Sequence, residues 1–371
     1  MNRSGVIAVL SSVIVIMAGL LIGFIILLLS DASQAVPAFM TMLTFGVGSM
    51  RNIGDVLLMA GPIILTGLSV GFAYKTGLFN IGATGQFTMG GFVAIYIGIE
   101  FMFLPPAVRI ITSILAAALA GALWGAIPGL LKAYCNVHEV ITSIMTNYIG
   151  MFLVNFLIIT HIFDRGRGTT LPLPPSSNLP TLGLDRIFRE PIGAGYRSSH
   201  VNAGIVIAIL IVILIYIILE KTTFGYELKA CGFNKDAARY AGINGNRNIV
   251  LSMMIAGALS GVGGALNFMN GTGLSMSMVD ALATEGFTGI SVALLGLSHP
   301  IGIIFSGIFV SYIFLGGARM QVFGFSIEFV EIVISIIIYF CAFVLLVRTY
   351  LSKTSGKSGK KESLEEGGKT V

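Results

Sequence analysis

The sequence predicts an all-α fold: a polytopic membrane helix bundle of about ten transmembrane helices, some broken or half-length, with both termini cytoplasmic. Three observations carry this prediction. Of the 371 residues, 55% are hydrophobic and only 11% are charged, against about 25% charged in an ordinary soluble domain. Apolar runs recur at the length of about 20 residues that a bilayer-spanning helix needs. Glycine occurs 47 times, as in bundles whose helix backbones approach closely. So little polar surface cannot cover a soluble globule, which excludes a soluble enzyme, a disordered regulator and a nucleic-acid binder. The net charge of +5 is thinly spread and reads as membrane topology rather than nucleic-acid binding.

The elements follow in order. Residues 6–29 carry no charge, and this run is too long for a signal-peptide core of roughly 7–15 residues, so it is a retained helix behind Arg3. Further spans centre on 55–74, 86–103, 108–131, 140–160, 201–219, 249–270, 286–297, 301–318 and 327–347. The span at 286–297 is short and Gly-rich, as expected of a broken helix buried in protein. The stretch 36–51 reads as an extra half-helix. Residues 1–350 form the membrane domain, with 161–200 as an extracellular loop and 220–248 as a cytoplasmic loop. The Ser-, Gly-, Lys- and Glu-rich tail, 351–371, is expected to be disordered.

Lys and Arg set the orientation. With the termini inside, 14 of the 22 basic residues fall on the inner side and 8 on the outer, and all ten lysines are inner. The positive-inside rule then makes the termini cytoplasmic. The three cysteines, Cys135, Cys231 and Cys341, are far apart and form neither a disulfide framework nor a metal spacing.

Three regions depart from plain lipid-facing helix. Thr76–Gln86 holds three glycines together with Asn80 and Gln86. One reading is a short turn with a capped helix start at Thr84, and the other is a broken-helix segment lining a pathway. The second region, YELKACGFNKDAARYAGINGNR from Tyr226, holds one short helix. Asn234 is its N-cap, Asp236 lies in its first turn and Gly242 ends it. Ala237, Ala238 and Ala241 give it a smooth face. That face suits a protein groove better than lipid, because the segment has few bulky apolar anchors. The third region, 275–300, places Asp280 and Glu285 beside a span. Intramembrane carboxylates are costly and suggest function, although Glu285 also suits the start of a helix. Asn147, an amide inside an apolar helix, needs a partner in the bundle or a polar solute.

Nucleotide and metal motifs fail on inspection. Gly356-Lys357-Ser358 lacks the first glycine of a phosphate-binding loop, since position 351 is Leu. His138-Glu139 lacks the second histidine of a zinc-protease motif, since position 142 is Thr. The pair reads instead as a helix cap. Uphill transport would therefore need a partner or an ion gradient.

The segment GFNKDAARYAGIN resembles the cytoplasmic coupling loop of ABC-importer permeases in the simple-sugar, nucleoside and branched-chain amino-acid group. KTGLFNIGATGQ resembles the motif after that group's second helix, and NVHEVITSIMTNYI and EGFTGISVALLGLSHPIG resemble two further stretches. The nucleoside branch is the most similar. The resemblance implies a non-catalytic subunit of the cell inner or plasma membrane with no cofactor of its own. It also implies partners: a cytoplasmic ABC ATPase, a second homologous or identical permease, and an extracellular substrate-binding lipoprotein that delivers a small-molecule solute. Carried over by residue, it places Gly232, Asn234, Ala237, Ala238, Ala241 and Gly242 in ATPase coupling. Phe79, Asn80, Gln86, Asn147 and Glu285 become candidates for the substrate pathway.

Two rival classes remain at this level. A secondary transporter needs buried carboxylates as ion sites, for which Glu285, Asp55 and Glu328 are available. An intramembrane enzyme needs paired carboxylates or a Ser/His arrangement, which the spans lack.

Overall fold

The computed structural model describes residues 3–193, 195–341, 343–344 and 346–351. The tail expected to be disordered lies outside the described residues beyond Leu351. In chain order the helices are α1 (Arg3–Ser30), α2 (Ala32–Thr44), α3 (Met50–Lys75), α4 (Ala83–Glu100), α5 (Pro106–Cys135), α6 (Glu139–Leu157), α7 (Leu184–Ile187), α8 (Ala203–Lys221), α9 (Thr223–Phe233), α10 (Lys235–Tyr240), α11 (Gly245–Phe268), α12 (Thr284–Leu295), α13 (Pro300–Ala318) and α14 (Ile327–Cys341). Two antiparallel pairs interrupt them, β1 (Phe163–Asp164) with β2 (Thr169–Thr170), and β3 (Arg189–Ile192) with β4 (Gly195–Ser198).

Each of the ten expected spans coincides with a helix, and the half-helix expected at 36–51 is α2 with a following 3-10 turn. Among the described residues, seven helices are long and apolar enough to cross a membrane: α1, α3, α5, α6, α8, α11 and α13. The others fall short for physical reasons. α4 starts on the polar Thr84 and Gln86 and ends on Glu100. α12 has 12 residues, which at the helical rise reach only about 18 Å of the roughly 30 Å hydrocarbon core.

The chain divides into two compact units, Met1–Met42 with Gly317–Val371, and Leu43–Gly316. In the first, Gly19 and Gly23 of α1 lie one turn apart against Ile337 of α14. A Cβ on Gly19 would stand 2.9 Å from the Ile337 carbonyl oxygen.

In the second unit α3 and α11 are central: their apolar windows are 83% and 72% buried, against 22% for α5. The sequence of α5 explains its two faces. Ile111, Leu115, Leu119 and Leu123 recur every fourth residue and are exposed, while Ala117, Gly121 and Gly125 lie buried on the other side. That small-residue face meets Gly257 and Gly261 of α11 so closely that a Cβ on Gly261 would overlap the Ala117 carbonyl. Lipid offers no hydrophobic drive to bring helices together, so close backbone packing supplies the attraction.

The 161–200 loop is fastened to helix ends rather than extended. Ser177 Oγ donates to the Gly98 carbonyl at 2.7 Å, Arg109 donates to Ser176 Oγ at 2.6 Å, and Leu179 N–H donates to the Met269 carbonyl at 2.8 Å. His138 caps α6 as expected, its Nδ1 accepting from Val140 N–H, and Glu139 pairs with Lys132 at 2.8 Å.

Candidate functional site

The turn between α3 and α4 is built around two buried amides. Asn80 is 0% exposed and Gln86 1%. Asn80 Nδ2 donates to Gln86 Oε1 at 2.9 Å, and Gln86 Nε2 donates back to Asn80 Oδ1 at 3.2 Å. A second contact from Asn80 Nδ2 reaches Ser69 Oγ of α3 at 3.0 Å. Across from them, Asn147 of α6 accepts from Gly85 N–H at 2.9 Å and donates to the Ile81 carbonyl at 3.0 Å. The irregular backbone buried here is stabilised because these side chains satisfy polar groups of Gly85 and Ile81.

The capped start at Thr84, one of the two readings of this segment, does not form. Gly82 occupies the N-cap position without a side-chain bond, and Thr84 Oγ1 is buried without a hydrogen-bond partner. Asn147, from a different helix, does the capping. Asn147 thus bonds from α6 to α4 and to the turn before it, and Asn80 and Gln86 bond mainly to each other.

The start of α12 packs on the start of α4. A Cβ on Gly286 would overlap Thr84, and one on Gly289 would lie 2.7 Å from the Thr66 carbonyl carbon. Beside this crossing lies a cavity of about 330 Å³, within the usual range for small-molecule sites. Its wall includes Phe87, Phe268, Asn155, Asn267 and Glu285. Asn267 Nδ2 donates to Glu285 Oε1 at 3.5 Å, and the Phe87 and Phe268 rings stand 6.4 Å apart. The irregular 274–283 segment closes one side and is tied to the 161–200 loop: Thr170 N–H donates to the Met276 carbonyl at 3.0 Å.

The second surface is the hairpin of α9 and α10. Asn234 caps α10 as the sequence predicts, accepting from Asp236 and Ala237 N–H at 3.0 and 2.9 Å. Gly242, with φ at +82°, ends the helix. The Ile243 and Gly242 amides donate back to the Ala238 and Arg239 carbonyls, the paired bonds of a left-handed helix stop. The smooth alanine face needs correction. Ala237 and Ala241 are exposed, but Ala238 is 4% exposed and faces inward. A groove of about 460 Å³ runs between α9 and α10, bordered by Tyr226, Phe233 and the three alanines. Phe233 and Tyr240 are 91% and 96% exposed.

Gly232 lies outside the lining of this groove. It packs against the turn after α3, where a Cβ would overlap the Lys75 carbonyl. Phe79 lies on this side as well, in a cavity of about 510 Å³ shared with Lys229 and Phe233. The structure therefore gathers Asn80, Gln86 and Asn147 in one cluster, sets Glu285 on the cavity beside it, and places Phe79 with the hairpin.

The comparisons decide the family. Residues 52–348 match the family described as branched-chain amino acid transport system, permease component. The chain belongs to this permease family. It is similar to the nucleoside ABC transporter permease protein NupB of Lactococcus lactis, 34% identical over 97% of this chain and 98% of the relative. It is also similar to the guanosine ABC transporter permease protein NupP of Bacillus subtilis, 36% identical over 93% and 96%. The glucose ABC transporter permease protein TsgB13 of Haloferax volcanii is 31% identical over 88% and 85%. No solved structure matches. Family membership and seven apolar helices make the chain a multi-pass membrane protein.

For this permease, residue-level reading missed Ser69, Asn267 and Asn155. Asn267 and Asn155 are lone amides in apolar helices, the signal that singled out Asn147. Ser69 gives no such signal, because serine bonds readily to its own helix.

Proposed function

We propose that this chain is one permease subunit of an ATP-driven importer that takes up nucleosides across the plasma membrane. The observation that carries the reading is its similarity, over nearly the whole length of both chains, to permeases named for nucleoside and guanosine transport. In this reading both termini are cytoplasmic, and α9 and α10 are the element that a cytoplasmic ATPase grips. The exposed Phe233, Ala237, Tyr240 and Ala241 favour a protein groove there. A second permease completes the pathway, and an extracellular binding protein feeds it. Phe79, Asn80, Gln86, Asn147 and Glu285 line or shape the route. Glu285 does so directly and the buried amides by holding the broken helix in place.

A simple sugar is the second reading, favoured by the glucose-transporter relative. Competition decides between them. Uptake of labelled guanosine by cells expressing the complete importer is expected to be blocked by unlabelled nucleosides and unaffected by glucose or leucine. Displacement by leucine alone would overturn the nucleoside assignment. Uptake by this chain alone in proteoliposomes, driven by a proton or sodium gradient, would overturn the ATP-driven one.

A further inference from the structure

The cavity beside the α4–α12 crossing has two chemically different ends. Glu285 is a carboxylate in its wall, held by Asn267 at 3.5 Å. Phe268 presents a half-buried ring and is backed by the fully buried Phe87, 6.4 Å away. A carboxylate is an acceptor-only group with two oxygens, and a pair of vicinal hydroxyls offers two adjacent donors that match them. Asn267 bonds only one of those oxygens, and among the described residues no other side-chain or backbone donor reaches the carboxylate. An aromatic face suits a flat, weakly polar ring.

We propose that Glu285 and Asn267 read the 2′- and 3′-hydroxyls of a ribonucleoside in this cavity, while Phe268 takes its base. The inference rests on the nucleoside reading above and adds a specificity site within the permease itself. The sugar supplies the discrimination, because two charge-assisted hydrogen bonds are directional and the ring contact accepts any base. Glu285 confers selectivity for the ribose rather than for one nucleobase.

The test uses the detergent-purified importer, permease with its ATPase and without the binding protein, so that only the permease selects. Thermal stabilisation by millimolar guanosine, uridine and their 2′,3′-dideoxy forms is measured for the parent, Glu285→Gln and Asn267→Ala. The parent is expected to be stabilised by both ribonucleosides at concentrations about tenfold lower than by the dideoxy forms, the ratio typical of losing a bond to a charged group. Glu285→Gln abolishes that preference while leaving the response to dideoxynucleosides in place. Asn267→Ala reduces it. Equal loss for ribo and dideoxy forms overturns the proposal, as does a loss confined to guanosine, which would place the carboxylate on the base edge. A parent that no nucleoside stabilises also overturns it. If the complete importer still takes up guanosine in that case, the transport reading stands and only the cavity assignment falls. If it takes up no nucleoside, the transport reading falls too.

Discussion

Gly77 and Gly232 meet backbone to backbone. A Cβ on Gly77 would lie 3.3 Å from Gly232 Cα, and a Cβ on Gly232 would lie 3.1 Å from Gly77 N. Gly77 has φ at +74°, a conformation that also favours glycine on its own account. The contact joins α9 to the turn that leads, three residues on, to the Asn80–Gln86 pair. Displacement of the α9–α10 hairpin would therefore bear directly on the turn between α3 and α4.

Gly232→Val should break this joint. Overpacking against rigid backbone typically costs about 1–3 kcal/mol. The expected result is a lowered thermal midpoint of the purified permease together with reduced uptake. Unchanged stability and transport in Gly232→Val would remove the joint from the mechanism.

The Asn80–Gln86 pair should behave as a unit. Replacing either with Ala strands the other buried amide, at a cost of about 1–3 kcal/mol, while Asn80→Ala with Gln86→Ala removes both. The double variant is expected to lose clearly less stability than the sum of the singles, as measured by denaturation midpoints in a double-mutant cycle. Strict additivity would mean that the two amides do not depend on each other.

Burial separates two adjacent alanines in the hairpin. Ala237→Trp, on the exposed side, should leave the protein folded and inserted but uncouple ATP hydrolysis from uptake. Ala238→Trp, at 4% exposure, should destabilise the hairpin itself. Co-purification of the ATPase, thermal midpoint and substrate-stimulated ATPase activity distinguish the outcomes. Equal transport by Ala237→Trp and the parent would exclude this face as the docking surface.

His299, in the link between α12 and α13, packs edge-on against Tyr216 with centroids 5.9 Å apart. Burial and the nearby Lys75 ammonium hold its pKa below the ordinary value near 6.5, with Glu220 opposing. The folded state thus prefers the neutral ring. Its contribution is fully present above pH 6.5 and is lost as pH falls from there through the lowered folded pKa. The thermal midpoint should drop on acidification from pH 7.5 to 5.5, and His299→Gln should flatten that part of the profile. An identical profile in the variant would assign the acid sensitivity to another group.

The sequence by itself determined the helical spans, the half-helices and the local punctuation. These depend on composition and near-neighbour chemistry: an uncharged run from residue 6 to 29 has no other stable state in a bilayer. Asn234 and Gly242 mark the ends of α10 because their bonds reach only two to five residues along the chain. The tertiary structure decided everything that depends on pairs distant in sequence. Thr84 looked like a cap, yet Asn147 caps that helix from 62 residues away. Ala237, Ala238 and Ala241 look alike in sequence, and only the folded hairpin buries Ala238 while leaving the other two exposed. Glu285 became a cavity-wall residue because Asn267 of α11 and the Gly286–Thr84 crossing place it there. Periodicity assigns a residue to a helix face. Which neighbour that face meets depends on how closely the glycines let the backbones approach, and that distance is set only when the whole bundle has packed.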